Sequence, residues 1–289
     1  MRPRIVVIAG PTAAGKSAAA LDLARRTGGT VINADASQLY ADLRILTARP
    51  SIADEAAVPH RLYGILDGTD TCDAARWATL ARAAIAATLA DGRLPIVIGG
   101  SGLYLRALLH GIADVPPIDP GVRTAVRALD AAAARAALAQ EDPAATVTDP
   151  QRVARALEVV RATGRPLRAW QADTTGGIDA DVRAFVVDRP RAEIHARIDR
   201  RLTIMLADGA EAEVAALGAR GLAADLPVMR ALGVATLLAA LGGRITLAAA
   251  VADTAAATRQ FAKRQQTWFR NQTDWPPFDA DTATSAVDA

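Results

Sequence analysis

Ile5-Val6-Val7-Ile8-Ala9-Gly10-Pro11-Thr12-Ala13-Ala14-Gly15-Lys16-Ser17 decides how this chain is read. An apolar run leads into a glycine-bracketed loop, and Lys-Ser opens an alanine-rich helical pattern. The spacing Gly-x-x-x-x-Gly-Lys-Ser is that of a P-loop. Such a loop turns successive backbone N–H groups inward as an anion nest, and the next helix adds the positive end of its dipole. Gly10 and Gly15 allow backbone angles and close approaches that a Cβ obstructs. Lys16 brings a point charge to phosphate, and the Ser17 hydroxyl suits a magnesium ion. Gly10, Pro11, Thr12, Ala13, Ala14, Gly15, Lys16 and Ser17 are therefore read as a loop that grips a di- or triphosphate. The motif does not say which one, or what is done with it.

Working outward, residues 5–9 read as a buried strand and 16–27 as a helix stopped by Gly28-Gly29. Residues 31–34 read as a second strand, with Asp35 at its carboxyl end. Ligands of open parallel sheets sit beyond those ends, so Asp35 faces the same crevice as the loop. It reads equally as a cap or turn residue and as a general base or aid to the metal. Residues 62–66 resemble a strand, Ala74–Ala90 a helix, and 94–98 a buried strand running into Gly99-Gly100-Ser101-Gly102. There the glycines permit close backbone approach and Ser101 offers a hydroxyl. From Pro116-Pro117 the pattern turns helical, with helices expected over 122–140 and 149–163, the second carrying Arg152 and Arg155 on one face. An apolar strand returns near residue 182. One long arginine-rich helix is expected over 191–216 and another over 247–269, with a frayed acidic tail after Asp279. The fold class is α/β: a P-loop NTPase-like parallel sheet flanked by helices. Residues 1–112 and 182–289 form the core, and 113–181 a helical insertion.

Composition narrows the function classes. In 289 residues, 51% apolar, there is ample material for a core, and no run approaches membrane-spanning length. The first strand begins almost at residue 1, which leaves no room for a signal peptide and points to a cytosolic protein. Cys72 is the single cysteine, so internal disulfides and multi-cysteine zinc sites are excluded. His60, His110 and His195 have no metal-ligand spacing. The net charge is only +2, and lysine occurs only at Lys16 and Lys263. Yet Arg259, Lys263, Arg264 and Arg270 crowd one stretch together with Phe261, Trp268 and Phe269. That mixture suits a nucleic-acid backbone with unstacked bases, or a solvated helix face with aromatics in the core.

Several segments together resemble the tRNA dimethylallyltransferase (tRNA isopentenyltransferase) family, bacterial type. They are Gly10 to Ser17, Asp35-Ala36-Ser37-Gln38-Leu39-Tyr40, Thr47-Ala48-Arg49-Pro50, Pro59-His60-Arg61-Leu62 and Gly99-Gly100-Ser101-Gly102-Leu103-Tyr104-Leu105. Asp149-Pro150-Gln151-Arg152-Val153-Ala154-Arg155-Ala156-Leu157-Glu158-Val159 follows, and then Thr258-Arg259-Gln260-Phe261-Ala262-Lys263-Arg264-Gln265-Gln266-Thr267-Trp268-Phe269-Arg270. The resemblance implies transfer of a dimethylallyl group from dimethylallyl diphosphate to N6 of the adenosine on the 3′ side of the anticodon, with diphosphate released. It implies that the loop, though often labelled ATP-binding in the family, grips the prenyl diphosphate with Mg2+ on Ser17. It implies that Asp35 takes the N6 proton, that Ser101 meets the base, and that Arg201 lies near the leaving group. Contacts with the tRNA anticodon stem-loop are implied for Asp35, Ala36, Ser37, Gln38, Ser101, Arg123, Gln151, Arg152, Val153, Ala154, Arg155, Arg230, Gly233, Lys263, Arg264, Gln265, Trp268 and Arg270. The target adenine has to be flipped out of its stack. Val234 stands where the family carries tyrosine, and Ser101 where threonine is commoner. A monomer is expected. The competing readings are a P-loop small-molecule kinase with 113–181 as its lid, a prenyl transferase acting on free adenine nucleotide, and an RNA-binding nucleotide switch.

Overall fold

A computed structural model of the chain describes residues 2–288. Two compact units emerge, one running to Leu105 and resuming at Asp179, the other Arg106–Ile178.

The first unit begins with β1 (Arg4–Ala9), α1 (Lys16–Thr27), β2 (Thr30–Asn33), α2 (Ile52–Ala57), β3 (His60–Arg61), α3 (Ala74–Ala90), β4 (Pro95–Gly99) and the start of α4 (Gly102–His110), which belongs to the second from Arg106 on. The second holds β5 (Ile112–Ala113), α5 (Pro120–Arg127), α6 (Ala131–Glu141), α7 (Pro150–Thr163), α8 (Leu167–Ala172) and β6 (Thr174–Thr175). The first then resumes with β7 (Asp181–Val186), α9 (Arg191–Ala207), α10 (Ala210–Ala219), α11 (Val234–Leu241), α12 (Leu247–Gln272) and α13 (Ala280–Asp288).

The sheet has the order β3-β2-β4-β1-β7, with every neighbouring pair parallel. Ile5, Val6, Val7, Ile8 and Ala9 are all fully buried, which a central parallel strand covered on both faces requires. Side chains alternate along a strand, so Val6, Ile8, Val31, Ile96 and Ile98 share one face and pack with Ala20, Leu23 and Ala24 of α1. Trp77 of α3 is fully buried and its indole N–H donates to the Asn33 carbonyl at 3.0 Å, at the end of β2. The five carboxyl ends thus point one way, and the loops leaving β1, β2 and β4 meet there.

Five sequence expectations change. Residues 62–66 are not a strand: β3 stops at Arg61, because Leu62 (φ 65°) and Gly64 (φ 58°) turn the backbone left-handed. The helix expected over 122–140 is two, since Asp130 caps α6 by accepting from the Ala132 and Ala133 amides. The helix over 191–216 is also two, parted at Asp208-Gly209, where Gly209 has φ 99°. The tail after Asp279 is helical: α13 lays Ala283 into the core beside α1, and Asp281 pairs with Arg26. The insertion occupies Arg106–Ile178 rather than 113–181, for Asp181 already pairs with Arg4 in the main sheet.

The insertion is built on α5, α6 and α7, whose Val126, Ala134, Leu138, Val153, Ala156, Leu157 and Val160 form its core. Two of its buried carboxylates are paired: Glu158 with Arg127 and Arg155, and Asp142 with Arg168.

Candidate active site

The loop between β1 and α1 takes the shape its glycines permit. Gly10 has φ 143°, and a Cβ there would lie 2.1 Å from the Val187 carbonyl oxygen. Ala13 (φ 64°) and Gly15 (φ 106°) are also left-handed. The Lys16 ammonium donates to the Pro11 carbonyl at 2.7 Å. Burial pushes its pKa down to about 8, against the pull of the Asp35 carboxylate and with a push from Arg201. Ser17 stands exposed in the first turn of α1.

Three arginines at and beyond the end of β7 hold this loop from outside. Arg189 Nε donates to the Ala14 carbonyl and Arg197 Nε to the Ala13 carbonyl, each at 2.7 Å. Arg201 Nη2 donates to the Thr12 hydroxyl at 3.0 Å. With its carbonyls engaged by guanidinium groups, the loop keeps its remaining amides for an anion. Arg201 Nε is buried without a hydrogen-bond partner, and burial holds the guanidinium pKa below its ordinary value. A buried guanidinium with a free Nε donor beside such a loop suits a phosphate oxygen. Sequence reasoning singled out Arg201, left Arg197 as surface charge and did not consider Arg189. The signal was there: Arg197 and Arg201 stand one helical turn apart, on one face.

Asp35 leaves β2 in a tight turn. Its Oδ1 accepts from the Ser37 amide at 3.0 Å and the Ser37 hydroxyl at 2.7 Å, while its own amide donates to Asn33 Oδ1 at 2.8 Å. The β4 end comes alongside: Ser101 Oγ accepts from the Ala36 amide at 3.2 Å. That approach depends on Gly99, where a Cβ would lie 2.1 Å from the Ala34 carbonyl oxygen. The turn reading and the chemical reading of Asp35 are therefore compatible, since Oδ1 holds the turn and the carboxylate still faces the crevice.

Loop and carboxylate open into one cavity of about 880 Å³, formed wholly within the first unit. Lys16, Ser17, Asp35, Ser101 and Arg201 line it, as do Arg197, Tyr63, Leu202 and Met205. Burial, then the Asp35 charge, raises the Tyr63 pKa, so the phenol stays protonated and offers a neutral hydroxyl to the cavity. The cavity is lined by the loop with its cationic side chains, by the apolar carbon of Leu202 and Met205, and by the Asp35 carboxylate.

A family model described as IPP transferase matches residues 38–272. A curated tRNA dimethylallyltransferase of Sphingopyxis alaskensis is 55% identical over 281 residues, covering 94% of this chain and 92% of that one. The chain belongs to the tRNA dimethylallyltransferase family. Among solved structures, a tRNA isopentenylpyrophosphate transferase of Bacillus halodurans is similar at 30% identity with a TM-score of 0.71, over 99% of this chain and 94% of that one. A eukaryotic dimethylallyltransferase described as acting on tRNA is similar at 25% identity with a TM-score of 0.82, over 99% and 76% of the two chains.

The residues that likeness to the tRNA dimethylallyltransferase family set toward RNA divide in three. Ala36, Ser37, Arg230 and Arg264 line the cavity with Asp35 and Ser101, while Lys263 and Arg270 are exposed on α12. Trp268 lies edge-on to Phe269 and over Gly102, where a Cβ would meet the indole at 2.4 Å. Arg123, Gln151, Arg152 and Arg155 are exposed on the insertion, and Ala154 is half-buried. Four residues are otherwise engaged. Gln38 also lines the cavity, but its amide donates to the Thr47 and Ala48 carbonyls at 2.8 and 2.9 Å. Gly233 caps α11 with φ 94°, Val153 is core, and Gln265 is buried among backbone groups. Val234, the position at which the resemblance implies a tyrosine in most members, is fully buried.

Proposed function

We propose that this cavity transfers a dimethylallyl group from dimethylallyl diphosphate to the exocyclic N6 of the adenosine 3′ to the anticodon of tRNA. The C1–O bond to diphosphate breaks, the N6–C1 bond forms, and an N6 proton passes to Asp35. The observation that carries the reading is the shared cavity: anion cradle and carboxylate face each other across a space of about 880 Å³. Loop amides, Lys16 and Arg201 stabilise charge as it builds on the leaving diphosphate, and their fixed placement is what makes them effective. Asp35 orients N6 and takes its proton. Ser101, tied to the Ala36 amide, lies beside the site of the extruded base.

The donor set also fits Mg2+. Among the described residues no cluster of three His, Cys, Asp or Glu could form an all-protein cage. Ser17 would hold a magnesium ion that keeps several of its waters, and this needs no such cage. Its chemistry there would be to neutralise charge on the departing diphosphate. One chain supplies the whole cavity, which supports a monomer. No helix among the described residues is long and apolar enough to cross a membrane. With tRNA as acceptor, we place the enzyme in the cytoplasm.

Incubation with radiolabelled dimethylallyl diphosphate, magnesium and unmodified tRNA tests the reading, with AMP and ATP as competitors. Label enters tRNA and is lost in Asp35→Ala, which still binds tRNA. Label in AMP, or phosphate transfer from ATP without prenyl transfer, overturns it. Normal turnover by Asp35→Ala removes the general base.

A further inference from the structure

Gln265 is 5% exposed, although it sits on α12 between the exposed Arg264 and the half-buried Gln266. Its side chain is spent at both ends on backbone groups of two loops. Oε1 accepts from the Thr12 amide at 2.8 Å, and Nε2 donates to the Gly100 carbonyl at 2.9 Å. Thr12 belongs to the anion cradle, and its hydroxyl accepts from Arg201. Gly100 precedes Ser101 at the end of β4. One amide therefore spans the diphosphate wall and the base wall of the cavity, at their root.

The fit is close. A Cβ on Gly100 would lie 2.1 Å from Gln265 Nε2. Gly100 needs no left-handed angle, so space is the demand on that position, first for this amide and then for the Gly10 carbonyl oxygen, 3.0 Å from such a Cβ. An amide can accept from an N–H at one atom and donate to a carbonyl from another without carrying charge. A carboxylate lacks the donor, and a hydrocarbon leaves both backbone groups buried and unpaired.

We infer that Gln265 is a positioning residue that fixes the anion cradle against the Ser101 turn, and not a contact to RNA. This rests on the proposed prenyl transfer only for its kinetic readout. By holding the Thr12 amide on Gln265, the side chain sets the loop conformation that presents Thr12 to Arg201. It also ties the cradle to α12, the helix that bears Lys263 and Arg264.

A double-mutant cycle tests this with inorganic pyrophosphate and magnesium as probe, so that binding is measured apart from turnover. Gln265→Ala and Gly100→Ala are made singly and together, with thermal midpoints recorded for each. Gly100→Ala leaves Gln265 in place but displaces its amide; Gln265→Ala removes the nearest obstacle to the new methyl, leaving the Gly10 carbonyl oxygen at 3.0 Å. Each single variant weakens pyrophosphate binding about tenfold. The double variant is no weaker than Gln265→Ala, because both changes break one connection. Binding of tRNA stays within about twofold of wild type in all three, and the KM for dimethylallyl diphosphate follows the pyrophosphate affinity. Unchanged pyrophosphate affinity in Gln265→Ala, additive losses in the cycle, or loss of tRNA affinity alone overturns the inference. Should Gln265→Ala fail to fold, Gly100→Ala with normal pyrophosphate affinity overturns it too. Absence of prenyl transfer by the wild type bears on the proposed function and leaves the pyrophosphate cycle intact.

Discussion

Burial lowers the Lys16 pKa from 10.5 to about 8, with Asp35 opposing that fall and Arg201 adding to it. A bound diphosphate supplies the opposite charge at hydrogen-bond range and favours the ammonium form, so it raises that pKa. Below pH 8 the side chain is already protonated, and binding needs no proton. Above it, each binding event takes up a proton, and affinity falls as pH rises. Calorimetry of magnesium pyrophosphate near pH 8, in two buffers of different ionisation enthalpy, gives buffer-dependent heats if this holds, and identical heats if it does not. The same shift acts on folding. The unfolded chain holds its Lys16 proton up to about 10.5 and the folded one only to about 8, so in that window the unfolded state binds more protons and stability rises with pH. Below the window the buried charge is a standing cost. Lys16→Met should therefore raise the thermal midpoint at neutral pH by a few degrees while abolishing turnover. A lowered midpoint would show that the Nζ–Pro11 hydrogen bond outweighs desolvation.

Elements succeed here where backbone meets backbone. A methyl on Gly99 would sit 2.1 Å from the Ala34 carbonyl oxygen, and neither strand end can yield without breaking the β2–β4 ladder. Gly99→Ala should cost roughly 3 kcal/mol in chemical denaturation. A loss under half that would mean the strand ends are softer than their pairing implies. The clasp by α9 is subtler. Arg197→Ala releases the Ala13 carbonyl and should weaken pyrophosphate about tenfold with little change in midpoint. Equal affinity would show that the cradle holds its shape unaided. These cases mark what was legible. The strand–loop–helix over residues 4–27, the helix Ala74–Ala90 and the parallel α/β class follow from apolar period and glycine spacing, which act locally. The breaks at Asp130 and Asp208-Gly209 were missed because alanine-rich flanks continue the helical period straight through them. Helix α13 was missed because its stability comes from burying Ala283 near α1, a contact more than 250 residues away in sequence. Arg189 on Ala14 and Gln265 on Thr12 are likewise long-range, at separations of 175 and 253 residues, and both meet backbone groups that any residue type would offer.

The whole molecule carries only +2, so its attraction for RNA depends on where cations remain unspent. Many are committed: Arg127 and Arg155 to Glu158, Arg161 to Glu141, Arg168 to Asp142, Arg259 to Asp199. Arg230, Lys263, Arg264 and Arg270 of the first unit, and Arg123 and Arg152 of the insertion, are exposed and form no ion pair among the described residues. Each that meets a phosphate releases counterions, and tRNA affinity should fall with salt by a log–log slope of about −0.7 to −0.9 per contact. If all six engage, the slope is roughly −4 to −5; if only the first unit grips RNA, roughly −3. The variant Arg123→Ala/Arg152→Ala separates the cases. Neither residue belongs to the insertion's core or pairs with its buried carboxylates, so fold and pyrophosphate affinity should be unaffected. Its slope should be shallower than that of the wild type by about 1.5, with tRNA KM raised at moderate salt and kcat unchanged. A slope identical to wild type would show that Arg123 and Arg152 take no part in the RNA grip and leave them as solvated surface. A fall in kcat without a change in slope would instead mean that they act on the geometry of the flipped base rather than on the backbone.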